Sequence, residues 1–268
     1  MNRFELEKES SLLYWYPKVK NTLRTPKTEV LVFSKKEKRA MYDVLDGEPI
    51  PDEIIRKIHA RADKIGYPLF LRSDQGSGKH EWRETCYVPD REVLIKHVMQ
   101  LIAWHECAGI MGLQWNALVF REFIRFESAF TSFWGMPVSR ERRVFVRDGV
   151  VECIHPYWPE DSICEDREAP LPPDWKEQLT RLNDMSGEET GQLSYMGKIF
   201  GELVPGYWSV DFAYGLDNKW WLIDAARGEI SWHPQDCAYC PDEQKPSTDK
   251  NTDSLIVALA NLGEDDDK

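Results

Sequence analysis

Ile54, Ile55, Ile58, Ala62 and Ile65 recur at three- and four-residue steps after Pro51-Asp52 and stop at Gly66, which predicts an amphipathic helix between those two signals. Pro68 to Arg72 then reads as a short buried strand. After the polar, glycine-containing stretch Ser73 to His80, a second strand is expected over Trp82 to Val88, and Asp90 caps an apolar helix from Glu92 to Cys107. Ala117 to Ile124 is the next strand. Arg143 to Arg147 and Val150 to Ile154 flank Asp148-Gly149, a hairpin signal because both central positions of a type I′ turn need positive φ. Pro170 to Pro173 marks a loop before a helix over Asp174 to Leu182. A further helix lies between Gly187 and Leu203, and the strands Trp208 to Tyr214 and Lys219 to Ala225 close the set. Helices and strands that alternate irregularly, with hairpins, imply an α+β fold rather than a doubly wound sheet. Residues 1–50, with Tyr14-Trp15-Tyr16-Pro17, Val30 to Phe33 and the basic run Lys35 to Arg39, are too short for a full domain. There is no internal repeat.

Composition narrows the class. A chain of 268 residues with 42% hydrophobic and 12% aromatic side chains can bury a sizeable core and is not disordered. The formal charge of −12 opposes broad binding to nucleic acid or anionic membranes. That charge is uneven: 11 acids and 3 bases lie between Val151 and Thr190, and 8 acids and 3 bases from Pro241 to Lys268. The remainder is near neutral, and Arg121 to Arg147 carries six arginines against three glutamates, which suits a small anion. The N-terminus lacks an apolar core of signal-peptide length, so a cytoplasmic protein with six reduced cysteines is expected, with an acidic, disordered tail over 263–268.

Four groups of residues could carry chemistry. In Arg72-Ser73-Asp74-Gln75-Gly76-Ser77-Gly78-Lys79-His80 the glycines let backbone N–H groups approach a phosphate, and Arg72 and Lys79 supply charge; a hairpin loop with solvated charges is the alternative. If Asp217-Asn218 is a two-residue turn, Leu216 pairs with Lys219 and Asp211 falls directly opposite Asp224. Two half-buried carboxylates among apolar neighbours call for a cation, and Mg²⁺ is the usual one beside phosphates. A longer loop through Gly215 would instead shift the register and leave both acids solvated. Alternation puts Arg143 and Phe145 on one strand face, where an arginine needs either an anion or a structural carboxylate. Finally, His233-x3-Cys237-x2-Cys240, with Cys153 or Cys164 as a fourth, is a weak zinc pattern against the simpler reading of a loop with buried thiols.

Taken in order, Pro68 to Asp74 with Gly78 to Trp82, Val119 to Ile124, Pro137 to Gly149 with Pro156 to Trp158, Ser209 to Ala213 and Trp221 to Asp224 resemble the ATP-grasp superfamily, and most the clade in which arginine replaces the usual nucleotide-binding lysine. The resemblance covers about residues 65 to 235. It implies two α+β lobes clasping a nucleotide, the smaller over 51–120 and the larger over 121–262, with 1–50 as a segment packed on the core. Arg72, Gly76, Ser77, Gly78 and Lys79 would hold the ATP phosphates from the smaller lobe. Phe120, Arg121, Glu122, Phe123 and Ile124 would receive the adenine, with Glu122 or Glu127 available to the base or ribose. Arg143 would meet the triphosphate, and with Lys79 it would be catalytic. Asp211 and Asp224 would bind Mg²⁺, while His155, Tyr157, Trp158, Trp232 and His233 would surround the second substrate. The activity implied is ATP-dependent ligation of a small-molecule or peptide carboxylate to an amine through an acyl phosphate. The alternative is a nucleotide-binding assembly factor similar to the cell-division-cycle proteins of this superfamily, which act on a translation factor. One departure stands out: Asp224 is followed by Ala225-Ala226 where the family commonly has Asn two positions on, leaving Glu229 as a substitute ligand for a second metal ion.

Overall fold

The computed structural model describes residues 2–109, 114–163 and 170–245. The chain divides into two compact units, the first ending at Ser231 and the second beginning at Trp232. Among the described residues no helix is long and apolar enough to cross a membrane.

The first unit opens with helices α1 (Arg3–Ser10) and α2 (Leu12–Val19), each started by a polar cap: Asn2 and Glu5 close a capping box, and Ser11 accepts from Leu13 N–H. Strand β1 (Thr28–Val32) and helix α3 (Lys35–Asp43) follow, then α4 (Asp52–Ile65), which stops at Gly66 because φ is +86° there. Next come β2 (Leu69–Ser73), β3 (Tyr87–Val88), α5 (Leu94–Gly109) and β4 (Ala117–Glu122). The four strands form an antiparallel sheet in the order β1-β4-β2-β3. Ile54, Ile58 and Ala62 of α4 and Leu94, Val98 and Leu101 of α5 are buried in the core of this sheet. A fully buried Ile or Leu of this kind contributes about 1.5–3 kcal/mol.

Beyond it lie the hairpin β5 (Ser128–Ser132) and β6 (Met136–Ser139), then β7 (Glu141–Arg147), β8 (Val150–Pro156), α6 (Trp175–Asn183), α7 (Gly187–Leu203), β9 (Tyr207–Tyr214) and β10 (Trp220–Arg227). The last four strands make a second antiparallel sheet, β10-β9-β7-β8. Asp148 and Gly149 have φ of +48° and +82°, the left-handed pair that the β7–β8 turn requires. Leu12, Trp15 and Val19 of α2 join this sheet's core, so the first fifty residues serve both sheets: β1 extends one and α2 covers part of the other.

Two expectations need correction, and one hairpin was not expected. Only Tyr87–Val88 is strand within Trp82 to Val88, because Thr85 Oγ1 donates to the carbonyls of Gly78 at 2.8 Å and Glu81 at 2.9 Å and folds the preceding residues into a turn. The β5–β6 hairpin has no counterpart among the expected elements, since Phe133, Trp134 and Gly135 at its tip all take positive φ without a usual turn pair. The β9–β10 connection is also longer than two residues. Gly215 N–H donates to Lys219 O, Trp220 pairs with Tyr214, and the register then shifts by a bulge between Leu222 and Asp224. The bulge returns Asp224 to a position opposite Asp211, so the facing pair arises by a different route.

Candidate active site

A cavity of about 410 Å³ is lined from both sheets of the first unit. Phe70, Trp82, Phe123, Ile124, Met136 and Leu216 supply apolar walls, while Arg72, Ser77, Lys79, Arg121, Glu122, Glu141, Tyr157, Asp211 and Asp224 supply polar groups. Apolar walls with a few convergent charges are the usual composition of a ligand site.

The charges are interlocked. Arg143 donates to both carboxylate oxygens of Asp211, through Nε at 2.8 Å and Nη2 at 2.9 Å. Burial pulls the Arg143 guanidinium down, but the charge and hydrogen bonds of Asp211 outweigh it and raise its pKa. Arg72 Nη1 lies 2.9 Å from Asp224 Oδ1. Arg121, at 3% exposure, donates through Nη1 to Ile223 O and leaves Nη2 buried without a hydrogen-bond partner. Burial, reinforced by the Arg72 charge, pushes Arg121 down to about 10. Glu141 is pushed up to about 7, first by burial and then, against the pull of Lys79, by the negative charge of Asp211.

Asp211 and Asp224 present hard oxygen donors from adjacent strands into one cavity, and Asp224 is 40% exposed. Each Asp211 oxygen keeps a second lone pair beside Arg143, whereas Asp224 Oδ1 faces Arg72 and also accepts from Ala225 N–H at 3.0 Å, so Asp224 offers its Oδ2. That donor set fits Mg²⁺ bound by one or two carboxylates together with phosphate oxygens. Glu229 pairs with Arg227 at 2.7 Å and is absent from the lining, so it is not placed as a further ligand.

Around Arg72 the loop is held by packing. Gln75 and Gly76 N–H both donate to Ser73 Oγ, at 3.0 and 2.9 Å, and a Cβ on Gly76 would stand 3.0 Å from the Trp104 ring. The glycines therefore let the loop lie on Trp104, and the Gly76 N–H is already engaged. Ser77 and Lys79 do reach the cavity. Phe120 is fully buried and points into the core, which leaves only its backbone for any ligand. Glu127 sits 3.5 Å from Arg140 and is not in the lining. Of the aromatic set, Tyr157 lines the cavity, whereas Trp158 lies behind it at 2% exposure with Nε1 donating to Ser139 O. His155 pairs in register with Arg143 and packs edge-on against Phe145.

Trp232 and His233 belong to the second unit, where Trp232 is half exposed and the buried His233 donates its backbone N–H to Gln244 Oε1 at 3.1 Å. His233 and Cys237 offer ligand atoms within 4.8 Å of one another, but Cys240 donates to Pro241 O at 3.6 Å instead. Cys164 and the tail 263–268 lie outside the described residues.

Sequence reasoning passed over Glu141 and Asp74. Glu141 shares Arg143's strand face by the same period of two, so the signal was present. Asp74 is fully buried: Oδ1 accepts from Asn116 and Ala117 N–H and Oδ2 from Ser11 Oγ, fastening α2 to the strand ends.

No curated protein matches the sequence. Among solved structures, C-terminally truncated Cdc123 from Schizosaccharomyces pombe superposes with a TM-score of 0.54 at 13% identity, over 85% of this chain and 86% of that one. The Cdc123 structure without that truncation gives 0.52 at 15% identity over the same shares. The ATP-grasp ligase PsnB complexed with minimal precursor gives 0.41 at 11% identity, over 82% of this chain, which spans 53% of PsnB. At these identities the likeness to the two Cdc123 structures concerns the fold alone. Residues 62–244, which contain the arginine-bearing loop, both paired aspartates and most of the cavity wall, match the model of an ATP-grasp domain family, the third of its clade, and on that match the chain belongs to the ATP-grasp proteins.

Proposed function

We propose that this chain is an ATP-dependent carboxylate–amine ligase that works on Mg·ATP. The observation that carries the reading is the convergence of Asp211 and Asp224 with Arg72, Arg121 and Lys79 on one cavity, with Arg143 bound to Asp211 behind it. Phosphoryl transfer needs positioning and charge neutralisation more than covalent help from the protein, and these groups supply both. Mg²⁺ would be held by Asp211 and Asp224 and would neutralise charge on the phosphate oxygens.

In this reading Arg72, Arg121 and Lys79 hold the phosphates, Arg143 steadies Asp211 from behind the cavity, and the walls near Phe70, Trp82, Phe123 and Ile124 receive the base. Glu122, which lines the cavity, would meet the base or ribose. A substrate carboxylate oxygen takes the γ-phosphoryl group as the bond to ADP breaks, giving an acyl phosphate. The amine nitrogen then bonds to the acyl carbon, phosphate leaves with its electron pair, and one proton is released. The carboxylate and amine are small molecules or peptide termini.

ADP formation by the full chain, screened against pools of amino acids and small acids with mass spectrometry of the products, tests the reading. A pool that stimulates ADP release and gives a mass equal to the two substrates less water supports it, and Asp224→Ala should abolish that release. Bound ATP that survives the whole screen without turnover would replace the ligase by the nucleotide-binding assembly factor.

A further inference from the structure

The ammonium group of Lys79 occupies a pocket whose walls are chemically suited to ammonium. Its Nζ donates to Tyr157 Oη at 2.9 Å. It lies 4.1 Å from the centre of the Tyr157 ring and 4.6 Å from that of Trp158. Glu141 Oε2 is 4.0 Å away. Aromatic faces attract cations through their quadrupole, more strongly where water is excluded, and a carboxylate supplies the counter-charge.

The walls are fixed independently of Lys79. Trp158 is buried and anchored through Nε1 to Ser139 O at 3.1 Å, and Tyr157 N–H donates to Glu141 O at 3.1 Å, tying the phenol wall to the carboxylate wall. Glu141 Oε2 is buried and, at 4.0 Å from Nζ, makes no hydrogen bond. A buried acceptor that has an ion-pair partner but no hydrogen bond to it has capacity for a better-placed donor. Arg143 also approaches the Tyr157 ring, at 4.8 Å, but its charge is matched by Asp211.

We propose that the pocket of Tyr157, Trp158 and Glu141 binds the ammonium group of the amine substrate, and that Lys79 fills it until the nucleotide phosphates draw Lys79 away. The proposal rests on the ligase reading for the identity of the incoming amine. It names the substrate class as a primary alkylammonium, because three N–H donors can reach the Tyr157 oxygen and Glu141 while the charge faces the rings. It also fixes the order of binding. One carboxylate and two rings cannot hold two ammonium groups at once, so the amine enters after the nucleotide.

The test uses n-butylammonium as probe and n-butanol as its neutral control, titrated calorimetrically into the full chain at pH 9, on the alkaline side of the Glu141 titration and below that of the alkylammonium. In Lys79→Met the pocket is freed without nucleotide, and butylammonium should bind at least ten-fold tighter than to the wild type. Adding Glu141→Gln to that variant should abolish the gain, and butanol should show none. In the wild type, saturating Mg·AMP-PNP should raise butylammonium affinity at least five-fold. A folded Lys79→Met with no gain overturns the proposal, as does AMP-PNP that binds without altering butylammonium affinity. If Lys79→Met does not fold, the wild-type arm decides. If AMP-PNP does not bind, the ligase reading fails, and the Lys79→Met arm still decides the pocket.

Discussion

Asp211 and Asp224 stand opposite one another across β9 and β10 because the chain bulges between Leu222 and Asp224. Their environments differ in a way that separates binding from stability. Asp211 is 9% exposed and both its oxygens are taken by Arg143, whose side chain is 15% exposed. Asp224 is 40% exposed and meets Arg72 through one oxygen. Asp224→Asn should therefore weaken Mg²⁺-dependent binding of AMP-PNP at least ten-fold while leaving the melting temperature nearly unchanged. Asp211→Asn should lose binding and also about 3 kcal/mol of stability, since it removes the carboxylate charge from a largely buried ion pair. Calorimetric titration and urea unfolding of the two variants check the contrast.

A second buried pair holds the strand that presents Arg143. Arg142 is fully buried, its Nε lies 2.6 Å from Glu189 Oε1 on α7, and Nη2 donates to the carbonyls of Leu182 and Asp184. Glu189→Gln removes the carboxylate charge from buried Arg142, and from Arg140 beside it, and should cost about 3–5 kcal/mol. AMP-PNP affinity, measured on the folded fraction at low temperature, should stay within about three-fold, because neither residue lines the cavity. A large loss of affinity at unchanged stability would contradict this structural role.

Helix α7 rests on the second sheet through small residues. A Cβ on Gly201 would meet Gly149 N at 2.6 Å and Val146 Cγ2 at 2.7 Å, whereas nothing lies within 4 Å of a Cβ on Gly191. Gly201→Ala should destabilise by about 1–3 kcal/mol through overpacking. Gly191→Ala, on the same helix, should stabilise by about 0.5–1 kcal/mol, because alanine loses less backbone entropy there. Thermal unfolding of the pair distinguishes contact from intrinsic propensity.

These cases mark what was legible in the chain. Periodicity placed α4, α5 and α7 and the β7–β8 hairpin, because each has a long apolar repeat or a turn pair with its own φ requirement. It missed β1 and α1 to α3, whose burial depends on two different sheets, and the β5–β6 hairpin, whose tip defies turn preferences. Asp211, Asp224 and Arg143 stood out because charges inside apolar strands are costly without partners, and Arg72 because it supplies charge at a strand end beside a glycine-containing loop. The partners themselves were not readable: Arg72 with Asp224 and Lys79 with Tyr157 join residues 152 and 78 positions apart, and only the folded chain brings them together.

His105 gives the structure an acid-sensitive point away from the cavity. It is 1% exposed on α5, between Trp104 and Trp115. Burial pushes its imidazole down to about 4, against the opposing charge of nearby Asp74 and with the help of Arg72. Between pH 6.5 and about 4 the unfolded chain binds a proton at this site that the folded chain refuses, so stability falls as pH falls through that window and the loss levels off below it. From pH 7 to pH 5 this one group should remove roughly 2 kcal/mol. Glu141, pushed up to about 7, acts in the opposite sense: the folded chain holds its proton up to that pH, so its contribution rises as pH falls from 7 to the ordinary carboxylate range. The two are separable by substitution. His105→Leu keeps an apolar side chain between the two tryptophans and should remove this group's loss, so that from pH 7 to pH 5 its stability in urea unfolding changes more favourably than the wild type's by roughly 2 kcal/mol. If the wild type and His105→Leu change by the same amount over that range, His105 does not carry the effect.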